Sequence, residues 1–192
     1  TIFAVDESPL QEGLIWVGSD DGLIHLTKDG GATWENVTPK KIPDWMMINS
    51  IDASSFDSGT AYIAGTRYKL GDFTPYLYVT DDYGKNWKLI TDGIKDEHFT
   101  RVLRSDKVNK NILYAGTETG MYISYDRGNS WNEFQKNLPI VPITDLTIKD
   151  NSLIVATQGR SIWMIDDLTV FHQLTPSTAV SYTHLRAHET DR

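Results

Sequence analysis

One short phrase recurs three times along the chain: TKDGGATW at 27–34, TDDYGKNW at 80–87 and SYDRGNSW at 124–131. All three read [Ser/Thr]-x-Asp-x-Gly-x-[Thr/Asn/Ser]-Trp, with the tryptophans 53 and 44 residues apart. A second phrase precedes each copy: IWVGSDDGLIHL at 15–26, YIAGTRYKLGDFTPYLYV at 62–79 and YAGTETGMYI at 114–123. A fourth copy of this second phrase, IVATQGRSIWMIDD at 154–167, lacks the Trp-terminated corner. Two linked motifs that return in the same order mark an internal repeat.

Each unit reads as four short strands, because apolar and polar residues alternate at period two between Gly, Asp and Pro. The expected strands are 2–7, 13–18, 22–28 and 33–38, then 46–53, 60–67, 74–80 and 87–91. The third unit gives 99–105, 111–117, 120–125 and 131–135, and the fourth 143–149, 152–158, 161–166 and 169–174. No stretch keeps a helical period. The expectation is an all-β chain: an open arc of about four four-stranded antiparallel blades from a larger β-propeller. The blades span about 1–40, 46–91, 99–136 and 143–175 of a domain at 1–175. Sheets of this kind gain stability by stacking on one another, and Trp16, Tyr62, Tyr78, Tyr114, Tyr122 and Trp163 supply large side chains for that contact. An arc leaves strand edges and blade faces exposed, which predicts aggregation of the isolated fragment.

The corner falls at the hairpin between the third and fourth strands. Its Asp (Asp29, Asp82, Asp126) accepts backbone N–H groups of its own turn. Its Gly (Gly31, Gly84, Gly128) permits a positive φ. Its Trp (Trp34, Trp87, Trp131) opens the last strand, and Thr27, Thr80 and Ser124 open the motif. One role repeated in three units points to turn chemistry rather than catalysis.

The 192 residues carry 18 Lys+Arg against 26 Asp+Glu, a formal charge of −8, which disfavours a general nucleic-acid binder. With 40% hydrophobic and 23% charged residues the chain can bury a core. The absence of Cys excludes a disulfide framework, thiolate zinc sites and a Cys nucleophile. His25, His98 and His172 form no metal-binding spacing, and no metal or cofactor is expected. No apolar run is long enough to span a membrane. No signal peptide opens the chain, which begins at Thr1 in a strand-like run, so an upstream segment is expected. The tail VSYTHLRAHET and the two residues after it, 180–192, resemble a translated sequencing adapter and read as non-native.

These corners resemble the Asp-box, or BNR-repeat, family, which includes sialidases, xyloglucan-active glycosidases and sortilin-type receptor propellers. The chain is most similar to the large bacterial sortilin-like BNR proteins, whose members often carry the label glycosyl hydrolase. The phrases that carry the likeness are DESPLQEGLIWVGSDDGLIHLTKDGG (6–31), RYKLGDFTPYLYVTDDYGKNW (67–87) and NLPIVPITDLTIKDNSLIVATQGRSIWMIDDL (137–168). The resemblance implies a secreted or cell-envelope protein of many hundreds of residues, with further blades of the parent chain as the fragment's first partners. One departure is Gln158, where the family phrase Thr-His-Gly-Arg-Ser has His.

In such a scaffold, loops between the second and third strands share one face with the connections between blades, and the Asp-box corners lie opposite. The loop face here holds Asp20, Asp21, Arg67, Tyr68, Lys69, Asp72, Phe73, Glu118, Gln158 and Arg160. The connections add Lys40, Lys41, Asp44 and Trp45, then Lys95, Asp96, Glu97 and His98. The second unit's loop is the longest, and loops lengthened on a regular scaffold often carry function. Arg67, Tyr68 and Lys69 offer a guanidinium, an aromatic ring and an ammonium, a mix suited to a sugar or carboxylate ligand. The candidate ligand-binding set is Trp45, Arg67, Tyr68, Lys69, Asp72, Glu118 and Arg160. A solvated edge with Arg67 and Lys69 paired to Asp72 is the simpler alternative. Arg101 and Arg104, on an inner strand, suit an ion pair in the central channel.

Two functions compete. One is a binding or scaffold domain for glycan or protein ligands. The other is a glycoside hydrolase completed by further blades, which requires two carboxylates across the scissile bond. Asp20, Asp21, Asp72 and Glu118 lie on the expected face, but no spacing selects a pair, and the catalytic residues stay unassigned.

Overall fold

The computed structural model describes residues 1–174. Residue 175 of the fourth repeat and the tail at 180–192 lie outside the described residues. Four antiparallel sheets follow one another along the chain. The first joins β1 (Ile2–Glu7), β2 (Ile15–Ser19), β3 (Ile24–Thr27) and β4 (Glu35–Asn36) in that order. The second joins β5 (Met47–Ala53), β6 (Ala61–Arg67), β7 (Asp72–Thr80) and β8 (Lys88–Leu89). The third joins β9 (Thr100–Ser105), β10 (Leu113–Thr117), β11 (Gly120–Ser124) and β12 (Asn132–Glu133). The fourth joins β13 (Ile143–Lys149), β14 (Ser152–Thr157) and β15 (Ile162–Ile165). The inner strands touch in sequence, β1 on β5, β5 on β9 and β9 on β13, so the sheets radiate from one hub as an open arc.

Burial follows position in the arc. β10 and β11 of the third sheet are buried along their whole length, because a neighbour covers each face. β2 of the first sheet and β14 of the fourth alternate between buried and half-buried, as a sheet covered on one side must. Between the first two sheets Trp16 meets Trp87 edge-on at 6.1 Å, and Ile24, Leu26, Ile48 and Ile63 fill the space around them. Between the second and third sheets Leu77, Leu103, Tyr62 and Tyr122 do the same.

Side chains also tie each inner strand to the next. Asp6, Asp52 and Arg104 occupy equivalent places, facing Trp16, Tyr62 and Tyr114 across the first strand pair of their sheets. The Asp6 carboxylate accepts the Ala53 N–H at 2.7 Å, and Asp52 accepts the Ser105 N–H at 2.9 Å. Arg104 inverts the polarity: its Nε donates to the Leu146 carbonyl at 2.9 Å while its terminal nitrogen pairs with Asp145 at 3.0 Å. Burial pushes the Asp6 carboxyl above the ordinary carboxylate range, against the Ala53 N–H, which lowers it.

Two sequence expectations change. The strand expected at 169–174 is instead a short helix, α1 (Thr169–His172). Asp167 accepts the Thr169 N–H at 2.9 Å and an Asn151 amide at 2.8 Å, which turns the chain inward. Phe171 then packs edge-on against Phe134, and His172 Nε2 meets the buried Asp106 carboxylate at 2.9 Å. These tertiary contacts override a local period-two pattern. The long loop of the second unit is mostly strand. β6 and β7 run on to an Arg67–Asp72 pair, closed by one 3-10 turn at Tyr68–Leu70.

Candidate functional site

On the loop face a cleft of about 450 Å³ opens between the first and second sheets. One wall is the β2–β3 turn, with Asp20 and Asp21. The other is the end of β6 and its 3-10 turn, with Thr66, Arg67, Tyr68, Lys69 and Leu70. Trp45 from the connection into β5, Met47 at the start of that strand, and Thr1, whose ammonium pairs with Asp20, complete it. Trp45 is 68% exposed and holds a left-handed φ of 60°. Glu97 holds φ 69° in the next connection, and the residues after each, Met46 and His98, donate backbone N–H bonds three residues back. The turn therefore sets this backbone, and the first connection places a large aromatic where the second places a carboxylate.

The wall beneath Tyr68 is rigid. Its ring stacks on Phe99 at 5.2 Å and 13°, and Phe73 leans on Phe99 from the side. Arg101 lies 5.7 Å from the Tyr68 ring centre and 5.2 Å from that of Phe99, fixed by Glu118, which its Nε reaches at 2.7 Å. Arg67 reaches Asp72 at 2.7 Å, and Tyr76 donates its hydroxyl to the same carboxylate at 2.8 Å. Burial would raise Asp72, but bonds from the Thr74 N–H, Tyr76 and Arg67 outweigh it and hold the carboxyl down at about 2. Asp21 is also held below the carboxylate range, chiefly by the Ser19 hydroxyl.

The cleft thus gathers Trp45, Arg67, Tyr68 and Lys69 from the candidate set. Asp72 stands behind Arg67, and Glu118 behind Arg101. Arg160 does not join them: it is exposed on the turn of the fourth sheet, where its carbonyl accepts the Trp163 indole N–H at 2.8 Å. Lys69 does not pair with Asp72; its Nζ lies 6.0 Å from the Tyr68 ring centre. Sequence reasoning missed Met47 and Thr66, which look like ordinary strand residues, and Phe99, whose role exists only once β9 meets the 3-10 turn.

The Asp-box corners occupy the opposite face and share one bonding pattern. In the third sheet, Ser124 donates to Asp126 at 2.8 Å and accepts the Gly128 N–H, while Asp126 accepts both the N–H and the hydroxyl of Ser130. Asp82 does the same with Thr80 and Asn86, and Asp29 with Thr27 and Thr33. The Thr33 hydroxyl and N–H hold Asp29 down to about 2; Asn86 lowers Asp82. Burial opposes the shift at Asp126, where Ser130 and Ser124 prevail. A Cβ on Gly84 would lie 2.6 Å from Val37, and one on Gly128 2.6 Å from Ile90, so the preceding sheet demands glycine as well.

Radiating four-stranded sheets carrying Asp-box corners define a β-propeller of the BNR type, present here as an open arc. The chain belongs to the Sortilin-Vps10 family, described as sortilin, neurotensin receptor 3, whose pattern matches residues 75–183. No curated protein matches the chain. Among solved structures it is similar to YCF48 bound to D1 peptide, at 19% identity and TM-score 0.64, over 86% of this chain and 51% of that one. It is also similar to the GH74 xyloglucanase of Xanthomonas campestris, at 17% identity and TM-score 0.66, over 86% of this chain and 29% of that one. A GH74 enzyme of Niastella koreensis aligns at 17% identity and TM-score 0.65, over 88% of this chain and 23% of that one. At these identities the likeness is one of fold. The chain spans about half the length of YCF48 and under a third of either GH74 protein.

Proposed function

We propose that this arc belongs to a binding or scaffold propeller that takes a glycan or protein ligand on its loop face, in a secreted or cell-envelope setting. The observation that carries the reading is the cleft, where an exposed Trp45 and a braced Tyr68 face the carboxyl groups of Asp20 and Asp21. Membership of the Sortilin-Vps10 family supports a binding role and an extracellular setting, and no helix among the described residues is long and apolar enough to cross a membrane. Further blades of the parent propeller are the structural partners, and the apolar faces at both ends of the arc are their contact surfaces. Ile2 and Val5 are exposed at one end, Ile162 and Met164 at the other.

The fold also hosts hydrolases, as the xyloglucanase attests. A glycosidase general acid must hold a proton near neutral pH. Asp21 and Asp72 are instead held down as anions, and the carboxyl that burial raises, Asp6, lies in the junction of the first two sheets. The test is a panel of aryl-glycosides and polysaccharides incubated with the intact parent protein. Binding without release of reducing ends is the expected result; turnover that disappears in Asp21→Asn would replace binding with catalysis.

A further inference from the structure

The floor of the cleft holds polar atoms whose bonding capacity is unused. Thr66 is 1% exposed, lines the cleft, and its hydroxyl has no hydrogen-bond partner. The Nε–H of Arg67 next to it is buried and unpartnered, although the same guanidinium serves Asp72 through another nitrogen. Asn49, the residue skipped in the β5–β6 register beside Gly65, donates its amide to the Thr100 carbonyl and leaves its own amide oxygen unpartnered. Buried polar groups are normally satisfied, and each one left without a partner costs free energy. The cleft lining therefore offers an unpartnered donor (Arg67) and an unpartnered group that both donates and accepts (Thr66), with Asn49 lying behind it. The walls add the carboxylates of Asp20 and Asp21, which already accept from the Thr1 ammonium and the Ser19 hydroxyl through one oxygen each, and the ammonium groups of Thr1 and Lys69.

Mixed donors and acceptors around aromatic surface, with those of Thr66 and Arg67 unspent, favour one ligand chemistry. A hydroxyl group donates and accepts at once, so it satisfies either kind of partner. A polyanion would meet Asp20 and Asp21, and a polycation would meet Lys69 and Arg67. We propose that the cleft between the first and second sheets is a subsite for a neutral, hydroxyl-rich oligosaccharide. One sugar ring lies against Trp45, and its hydroxyl groups bridge Thr66 and Arg67 on the floor to Asp21 on the wall. The volume of about 450 Å³ falls within the range of small-ligand sites. This assignment rests on the loop-face binding reading and narrows it to a ligand class.

The test is titration of the intact protein with neutral hexasaccharides of glucose, mannose and xylose, a hexagalacturonate and a hexalysine peptide, by calorimetry and saturation-transfer NMR. At least one neutral hexasaccharide binds, and hexagalacturonate and hexalysine do not compete. Trp45→Ala weakens binding about tenfold or more with an unchanged melting curve, since the indole stands in solvent. Thr66→Val, nearly the same shape without the hydroxyl, weakens it about three- to tenfold, the worth of one hydrogen bond. Silence of every neutral probe overturns the assignment, as does neutral binding that both variants leave intact. Hexalysine binding that Trp45→Ala abolishes sinks the glycan assignment while leaving a loop-face binding role standing. Cleavage of a neutral probe overturns the non-catalytic reading and keeps the glycan subsite.

Discussion

The corner of the first sheet and that of the third are built from the same bonds but have different surroundings. In both, an Asp takes the N–H and hydroxyl of the residue four places on, and a Thr or Ser hydroxyl braces the turn. Trp131 is 4% exposed and donates its indole N–H at 2.7 Å to Ile90 of the preceding sheet. Trp87 does likewise to Val37 at 2.8 Å. Trp34 is 47% exposed and turns its indole N–H to Gly31 of its own corner. The internal hydrogen bonds need nothing but the local sequence. The anchoring of the Trp needs a sheet in front of it, so the corner doubles as a latch between blades.

Breaking the latch should separate the two corners most widely. Trp131→Ala is expected to cost about 3–5 kcal/mol in chemical denaturation, as a buried large-to-small change does. Trp34→Ala should cost under about 1 kcal/mol, typical of a surface site. Equal losses would show that the latch is not what buries the ring. Supplying the preceding sheet in a longer chain should remove the contrast: Trp34 fluorescence shifts blue and its substitution becomes as costly as that of Trp131.

The glycines come next. Gly128→Ala meets Ile90 at 2.6 Å with φ at 83° and is expected to cost about 2–4 kcal/mol from overpacking and backbone strain. Gly31→Ala carries the strain of φ 97° but no close neighbouring sheet, so its loss should be about half or less. Thermal melts of the pair decide this, and parity would remove the second sheet from the explanation.

Asp126→Ala strands the N–H and hydroxyl of Ser130 and the hydroxyl of Ser124 in a part-buried turn and should cost about 1–3 kcal/mol near neutral pH. The pH dependence has a definite sign. Asp126, Asp82 and Asp29 titrate below the ordinary value near 4, so their stabilisation is present above it and lost as pH falls through the lowered values, about 2 for Asp29. Asp126→Ala should flatten that acid arm.

Asp6 has the opposite sign and the smallest effect. Its folded-state pKa is raised, so stability falls as pH rises from the ordinary carboxylate value through the raised one. Asp6→Asn keeps an acceptor for the Ala53 N–H without the charge, and should melt higher than the parent at pH 7 but match it near pH 3. A variant that is less stable at pH 7 would mean that the charge itself holds the first junction.

The repeat, the corner bonds and the order of strands were legible because each depends on residues a few places apart. Thr27, Asp29 and Thr33 find one another within a single turn whatever surrounds them. The β4, β8 and β12 strands shrink to two residues each because only the hairpin holds them. At 169–174 the alternation of apolar residues looked like a strand, yet Asp106 and Phe134, far away in sequence, drew His172 and Phe171 into a helix. In the cleft, Arg67, Tyr68 and Lys69 stood out through the lengthened repeat. Thr66 did not, since an unpartnered hydroxyl leaves no mark on composition or period.

From its sequence alone this chain was committed to successive antiparallel units, three of them closed by an Asp-box corner between their last two strands, because hydrogen bonds inside a turn and period-two burial are local properties. The tertiary structure decided which tryptophan is a latch and which is a free surface. It also decided whether Arg104 replaces an Asp in the hub tie and which polar atoms are left open in the cleft. Those outcomes depend on the distance between atoms contributed by different sheets, and that distance is set by packing around the hub.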